Sequence, residues 1–142
     1  MIGTNLTSVF LCMKHELRHM ARQESGAIVN TSSGAGLVAA PFMPHYTAAK
    51  HGVVGLTRAA AAEYRGRGVR INSVLPGTTD SAMTRGFVAE HPEMEEILER
   101  TSVTGKFLDP IEIATVVVWL GSDAAARVNG QSVVVDGGGI MH

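Results

Sequence analysis

A hydroxyl, a phenol and an ammonium stand close together in the stretch between Asn30 and Lys50. Tyr46 and Lys50 are four residues apart, so on a helix their side chains lie on one face. Ser33 comes before them in a Ser/Gly loop, where a strand would lead into that helix. Groups of these types at the carboxyl end of a strand can move a proton to or from a substrate oxygen. Tyr-x-x-x-Lys also occurs by chance in many helices, so this hypothesis needs agreement from the rest of the chain.

The bulk properties describe one globular domain. The chain has 142 residues, of which 45% are hydrophobic and 18% are charged, which favours a packed core over disorder. The net charge is −1 and no segment concentrates positive charge, so neither nucleic acid nor membrane is expected as a partner. Cys12 is the single cysteine and the six histidines lack ligand spacing, so we expect no metal site. Without a secretory signal pattern, a cytoplasmic location is expected.

Apolar periodicity and turn residues divide the chain into alternating helices and strands. Asp109 before Pro110 is typical of a helix N-terminus, because the carboxylate can cap the first turn. Residues 78–105 are mixed and are interpreted as an excursion from the sheet, with short helical pieces. The predicted elements are a helix over 2–22, a strand over 27–30, a helix over 44–65, a strand over 69–75, a helix over 110–121 and a strand over 131–136.

This order predicts an α/β fold, with a parallel sheet covered by helices on both faces. In such folds ligands collect at the carboxyl ends of the strands. Ser33, Tyr46 and Pro76-Gly77 all follow such ends. The elements therefore bring the candidate proton-transfer residues to the edge of the sheet where a ligand is expected.

At this point the chain resembles the classical short-chain dehydrogenase/reductase family. Five motifs agree in order and in spacing, and together they cover essentially the whole chain. They are TNLTSVF with Asn5, IVNTSSGAGL with Ser33, YTAAK with Tyr46 and Lys50, NSVLPG ending at Gly77, and VDGG over 135–138.

The resemblance implies an oxidoreductase that interconverts a secondary alcohol and a ketone, with NAD or NADP as cofactor. Tyr46 would be the general acid/base, and Lys50 would favour its phenolate and bind the nicotinamide ribose. Ser33 would hold the substrate oxygen; Ser32 is its rival, but the spacing to Tyr46 favours Ser33. Asn5 would position a water that connects Lys50 to solvent.

The same resemblance places the nicotinamide end of the cofactor against the segment after the second strand. Its cofactor-binding residues would be Tyr46 and Lys50 together with Pro76, Gly77, Thr79 and Ser81. Residues 37–43 and 82–88 would line a pocket for a hydrophobic alcohol or ketone. Neither the identity of the substrate nor the choice between NAD and NADP is determined here.

One family feature is absent from the sequence, namely the glycine-rich turn that holds the cofactor pyrophosphate. We therefore expect residues 1–142 to be a single partial domain, the C-terminal part of a doubly wound Rossmann fold. The strand over 27–31 would then be an exposed edge. The chain alone is expected to lack dehydrogenase activity, while its full-length parent would be an active homo-oligomer, a tetramer.

Two alternatives stay open. The first is a catalytically inactive fragment that retains only the oligomerisation surfaces of the family, formed by the first two helices and by the last helix and strand. The second is the extended branch of the family, which acts on nucleotide sugars and also uses Tyr-x-x-x-Lys. The motifs NSVLPG and VDGG favour the classical branch over the extended one.

Overall fold

The fold is built on three parallel strands in a computed structural model that describes residues 1–140. The predicted order of helices and strands is confirmed, as is the α/β class. The elements are α1 (Ser8–Gln23), β1 (Gly26–Thr31), α2 (Pro44–Glu63), β2 (Val69–Pro76), α3 (Ala82–Glu90), α4 (Glu95–Glu99), α5 (Pro110–Gly121) and β3 (Ser132–Val135).

The strands lie in the order β1-β2-β3, with β2 at the centre. β1 pairs with β2 from Gly26 opposite Val69 to Thr31 opposite Val74. β2 pairs with β3 along its last four residues. Because all strands are parallel, the loops that follow β1 and β2 leave from the same edge of the sheet. Among the described strands, β1 has a partner on one side only, so it is the expected edge strand.

One face of the sheet carries the core that holds α1 and α2. The alanines in the middle of α2 let this helix approach the sheet closely, as the alanine-rich sequence predicts. The buried residues of this cluster are Met13, Leu17, Ile28, Ala60, Ala61, Val69 and Ile71.

The opposite face carries α5. Arg70 lies between Val69 and Ile71 in β2, so its side chain leaves the sheet on the other side. Its guanidinium donates to the carbonyl oxygens of Leu120 at 2.7 Å and Ser122 at 3.0 Å, at the end of α5. Helices therefore cover both faces, as predicted.

The predicted ends of the helices need small corrections. Residues Gly3–Thr7 form π-helical turns, and the α-helix begins only at Ser8. It ends at Gln23, one residue beyond the predicted end, where Glu24 adopts a left-handed conformation with φ 51°. The start of α5 is as predicted, with a full capping box between Asp109 and Glu112.

The excursion between β2 and α5 contains α3 and α4 and is tied back to the sheet at both ends. Leu108 exchanges backbone hydrogen bonds with residues 78 and 80, through its N–H to Thr78 and its carbonyl to Asp80. The N–H of Val103 donates to the carbonyl oxygen of Gly137, just after β3. These bonds keep the segment after β2 beside the carboxyl edge of the sheet.

Candidate active site

Two consecutive serines follow β1, and their hydroxyls have different environments. Ser32 is only 3% exposed, and its Oγ donates to the main-chain carbonyl oxygen of Lys50 at 2.9 Å. Its N–H donates to the carbonyl oxygen of Val74 in β2, so Ser32 continues the ladder of the sheet. The Ser32 hydroxyl therefore ties the end of β1 to α2 and is closed to solvent.

Ser33 is half-buried and caps the short 3-10 turn Gly34–Gly36. Its Oγ accepts a hydrogen bond from the N–H of Ala35 at 3.2 Å. A hydroxyl that accepts one bond can still donate its own proton. Of the two serines, Ser33 is the one whose O–H can be offered to a substrate oxygen.

Tyr46 and Lys50 lie on one face of α2, as their spacing predicts. The Lys50 Nζ is 5.6 Å from the centroid of the Tyr46 ring, within the range of a cation–π interaction. Lys50 is only 9% exposed, and its Nζ donates to the carbonyl oxygen of Thr31 at 3.2 Å. Burial of the ammonium lowers the pKa of Lys50 from its ordinary value.

Gly36 lets α2 lie this close to the end of β1. A Cβ at this position would lie 2.5 Å from the Ser32 Oγ and 3.0 Å from the Lys50 carbonyl oxygen. Sequence reasoning did not assign a role to Gly36, or to Ser32 beyond that of a rival. The strand alternation offered a signal, because Ser32 continues the buried face of Ile28 and Asn30.

The first turn of α2, which carries Tyr46, is held by the preceding loop. The N–H of Thr47 donates to the carbonyl oxygen of Met43 at 2.9 Å. The Thr47 Oγ1 in turn accepts a hydrogen bond from the N–H of Ala40 at 3.1 Å. Thr47, which the sequence did not single out, thus fixes residues 40–43 against the helix.

The segment after β2 makes hydrogen bonds to β3 and within itself. The N–H of Gly77 donates to the carbonyl oxygen of Val135, and a Cβ at Gly77 would lie 2.8 Å from the Cβ of Asp136. The Thr79 hydroxyl donates to the carbonyl oxygen of Gly77. Pro76 and Gly77 therefore continue directly from the sheet edge next to β3.

Ser81 caps α3 in this structure. Its Oγ accepts from the N–H of Thr84 at 3.2 Å and lies 3.1 Å from the Thr84 hydroxyl. Arg85 adds a two-point ion pair with Asp80, which lowers the pKa of that carboxyl group. The Ser81 hydroxyl is thus already engaged with Thr84.

Asn5 lies in the π-helical turns before α1. Its side-chain amide donates to the carbonyl oxygen of Met1 at 3.2 Å and to the sulfur of Met1 at 3.0 Å. Within residues 1–140 the structure shows no hydrogen bond from Asn5 to Lys50. The next residue, Leu6, packs against Gly52 of α2, so this turn does lie beside the helix that carries Lys50.

No group of three or more potential metal ligands occurs in the described part of the chain. Across residues 1–140, no helix has the length and apolar character needed to cross a membrane.

Comparisons with known proteins agree on one family. The family described as enoyl-(acyl carrier protein) reductase matches residues 1–139. An A-factor type γ-butyrolactone 1′-reductase of Streptomyces virginiae is 44% identical over 138 residues, which cover 96% of this chain and 54% of that protein. A cyclohexanol dehydrogenase of an Acinetobacter species is 44% identical over 136 residues, which cover 96% of this chain and 52% of that protein.

Solved structures show the same likeness. The structure of ElxO with NADP bound superposes with a TM-score of 0.88 at 30% identity, covering 94% of this chain and 54% of that one. The chain spans about half the length of the curated relatives it matches.

Proposed function

Because this chain belongs to the short-chain dehydrogenase/reductase family, we propose that it supplies the proton-transfer part of an NAD(P)-dependent oxidoreductase. The reaction interconverts a secondary alcohol and a ketone. Tyr46 is its general acid/base, Lys50 supports Tyr46, and Ser33 holds the substrate oxygen. The classical branch is preferred to the extended branch on the motifs NSVLPG and VDGG.

The observation that carries this proposal is the geometry of Lys50. A buried ammonium stands 5.6 Å from the ring centroid of Tyr46, held by the carbonyl oxygen of Thr31. A free phenol titrates near pH 10, so it needs a nearby positive charge to act as a base at neutral pH. The structure keeps that charge beside the phenol although its burial is unfavourable, which is typical of a functional site.

The chain offers donors that suit the cofactor predicted from the sequence. An ammonium has three N–H donors, and Lys50 uses one of them for Thr31 among the described residues. The remaining donors match the hydroxyls of a ribose. When bound, the nicotinamide would accept or supply the hydride. The similar protein ElxO has NADP bound in its solved structure, which supports an NAD(P) site here.

Ser33, Tyr46 and Asn5 carry out the proton-transfer part of the reaction. The Ser33 hydroxyl donates to the substrate oxygen and keeps it beside the phenol of Tyr46. During oxidation Tyr46 accepts the proton of the alcohol, and during reduction it returns a proton to the oxygen. Asn5 stays the candidate for the water that relays this proton from Lys50 to solvent.

The expected substrate is an apolar alcohol or ketone that carries a ring. Residues 37–43 contain no charged side chain, and on α3 Met83 is 78% and Phe87 43% exposed. Both relatives described above act, by their names, on compounds built on a ring, cyclohexanol and a γ-butyrolactone. Apolar walls of this kind favour such a ring through burial of its surface.

Two further features belong to the larger enzyme. The pyrophosphate and adenosine of the cofactor would bind in the larger enzyme, to a region that corresponds to the part of the relatives outside the match to this chain. A groove of about 470 Å³ between α1 and α2 is lined mainly by apolar residues, among them Phe10, which is 48% exposed. We assign this groove to contact with a second copy, in the homotetramer expected from the sequence.

The chain alone is proposed to be inactive, which keeps open the alternative of a fragment with oligomerisation surfaces only. Titration of NADPH into the purified 142-residue chain tests the proposed inactivity of the chain alone. Binding weaker than about 1 mM is expected, and micromolar binding would show that the chain holds the cofactor unaided.

Activity is tested in a fusion protein, called here the reconstituted enzyme. In it this chain follows the N-terminal segment of the Streptomyces virginiae reductase, up to the start of the matched region. Tyr46→Phe is expected to lower kcat at least about 100-fold, the usual size of a general acid/base contribution. The matched control is Tyr64→Phe, the other of the two tyrosines, at the end of α2. Equal turnover in the two variants would refute the proposed role of Tyr46.

A further inference from the structure

Residues 40–43 form a β-turn just before α2. The N–H of Met43 donates to the carbonyl oxygen of Ala40 at 3.2 Å, which closes the turn. Pro41 fixes a negative φ at the second position, and Phe42 has φ 64° at the third. This combination is a type II turn, whose third position normally holds glycine or asparagine.

Phe42 is unfavourable at this position in two respects. A bulky residue with positive φ is strained, because its Cβ crowds the neighbouring carbonyl group. Its side chain is also 99% exposed, so it gains nothing from packing within the chain. The other non-glycine residue with positive φ among the described residues is Glu24, a polar residue at a helix end. A strained and unpacked aromatic residue is a reason to look for a function.

The turn is fixed to the helix that carries the proposed acid/base. The N–H of Ala40 donates to the hydroxyl of Thr47, whose own N–H donates to the carbonyl oxygen of Met43. Tyr46 precedes Thr47 in the first turn of α2. In a helix the Cα–Cβ bond tilts toward the N-terminus, and for Tyr46 that is the end at which this turn lies. These hydrogen bonds tie both residues that flank Pro41 and Phe42 to the first turn of α2.

We propose that Phe42 is a specificity-determining residue. Its ring contacts the apolar ring of the substrate while the oxygen of the substrate is held at Tyr46. This inference rests on the proposed function and adds the residue that selects ring-bearing substrates. Glycine at position 42 would relieve the backbone strain, but it has no side chain that could contact the substrate. This explains why the strained phenylalanine is retained.

The substrate is favoured over a second protein copy as the partner of Phe42. The turn lies between Ser33 and Tyr46 in the chain, and residues 37–43 carry no charge. The groove assigned to a second copy is lined by residues of α1, α2 and the turns before α1, and Phe42 is not among them. The ring of Phe42 thus extends from the loop that joins two site residues.

The test compares two glycine substitutions that relieve the same kind of strain. In the reconstituted enzyme, Phe42→Gly is expected to raise KM for cyclohexanol about tenfold, the size expected for lost burial of part of an aromatic side chain. KM for propan-2-ol, which has no ring, is expected to change less than twofold. Glu24→Gly is the control and should leave both values unchanged. Neither variant should lower the melting temperature.

A binding measurement without turnover makes the test independent of chemistry. Cyclohexanone is titrated into the NADPH-loaded Tyr46→Phe variant, with and without Phe42→Gly, and the Kd is expected to rise about tenfold in the double variant. Unchanged values of KM and Kd would overturn the inference, even where Tyr46→Phe has confirmed the proposed function. A change in oligomeric mass without a change in Kd would also overturn it, in favour of a protein contact. If Tyr46→Phe keeps full turnover, the proposed function fails first and the inference fails with it.

Discussion

Ser32 and Gly36 meet beneath the turn of α2 that carries Lys50, and we expect the two positions to be energetically coupled. The Ser32 Oγ donates to the Lys50 carbonyl oxygen at 2.9 Å. A Cβ at Gly36 would lie 2.5 Å from that Oγ and 3.0 Å from that carbonyl oxygen. A side chain at position 36 would therefore compete with the Ser32 hydroxyl for the same small space between β1 and α2.

The expected magnitudes follow from these distances. Ser32→Ala removes one hydrogen bond, but the Lys50 carbonyl oxygen keeps its bond within the helix, so the loss is about 1 kcal/mol. Gly36→Ala forces a methyl group against the Ser32 hydroxyl and should lower the free energy of unfolding by about 1–3 kcal/mol. In the double variant the closest contact is gone, so the total loss should be smaller than the sum of the two by about 1 kcal/mol or more.

Urea unfolding of the 142-residue chain, followed by circular dichroism, measures these free energies. A second cycle pairs Ser32→Ala with Gly86→Ala as the control. A Cβ at Gly86 meets nothing within 4 Å, so this second pair should be additive. If Ser32 and Gly36 are also additive within about 0.3 kcal/mol, the packing derived for the end of β1 is wrong. In the reconstituted enzyme, the variants that lose more free energy of unfolding should also lose more kcat, because a displaced α2 displaces Tyr46.

Two further predictions concern Lys50 and Phe10. Burial lowers the pKa of Lys50 in the folded chain below its value of about 10.4 in the unfolded chain. At pH values between these two pKa values the unfolded chain binds more protons than the folded chain. The free energy of unfolding therefore rises with pH in this range. Lys50→Met should remove this rise in urea unfolding as the pH approaches the unfolded value from below, and an unchanged slope would contradict it. Phe10→Asp should lower the mass of the reconstituted enzyme in light scattering, since it charges the groove between α1 and α2. Ile97→Asp, at a position 56% exposed on α4, should leave the mass unchanged, and equal masses for both variants would exclude the groove as an interface.

The arrangement of helices and strands could be predicted because each element has a periodic apolar pattern. β1 and β3 contain short apolar runs, β2 alternates apolar and polar residues, and α5 follows a capping residue that precedes proline. Such signals depend on near neighbours in the chain, so the sequence alone carries them. The pairing of Tyr46 with Lys50 on one face follows from the helical repeat in the same way.

Features that depend on single backbone angles or distant contacts could not be predicted. Glu24 ends α1 with a positive φ, although glycine is the residue that normally signals such an end. Phe42 occupies a turn position that sequence rules give to glycine. The hydrogen bond between Ser32 and Lys50 joins residues 18 apart in the chain, and it forms only once α2 has packed on β1. Tertiary packing decides these cases.

Two consecutive residues at the end of β1, Thr31 and Ser32, hold the side chain and the main chain of Lys50. Its ammonium donates to the carbonyl oxygen of Thr31, while its own carbonyl oxygen accepts from the hydroxyl of Ser32. Because the N–H of Ser32 points to β2, the Thr31 carbonyl points to the outer side of β1, which is the open side among the described strands. A strand that paired along this edge would place its N–H groups near the same carbonyl. The outer edge of β1 thus carries the carbonyl group that positions the ammonium beside Tyr46.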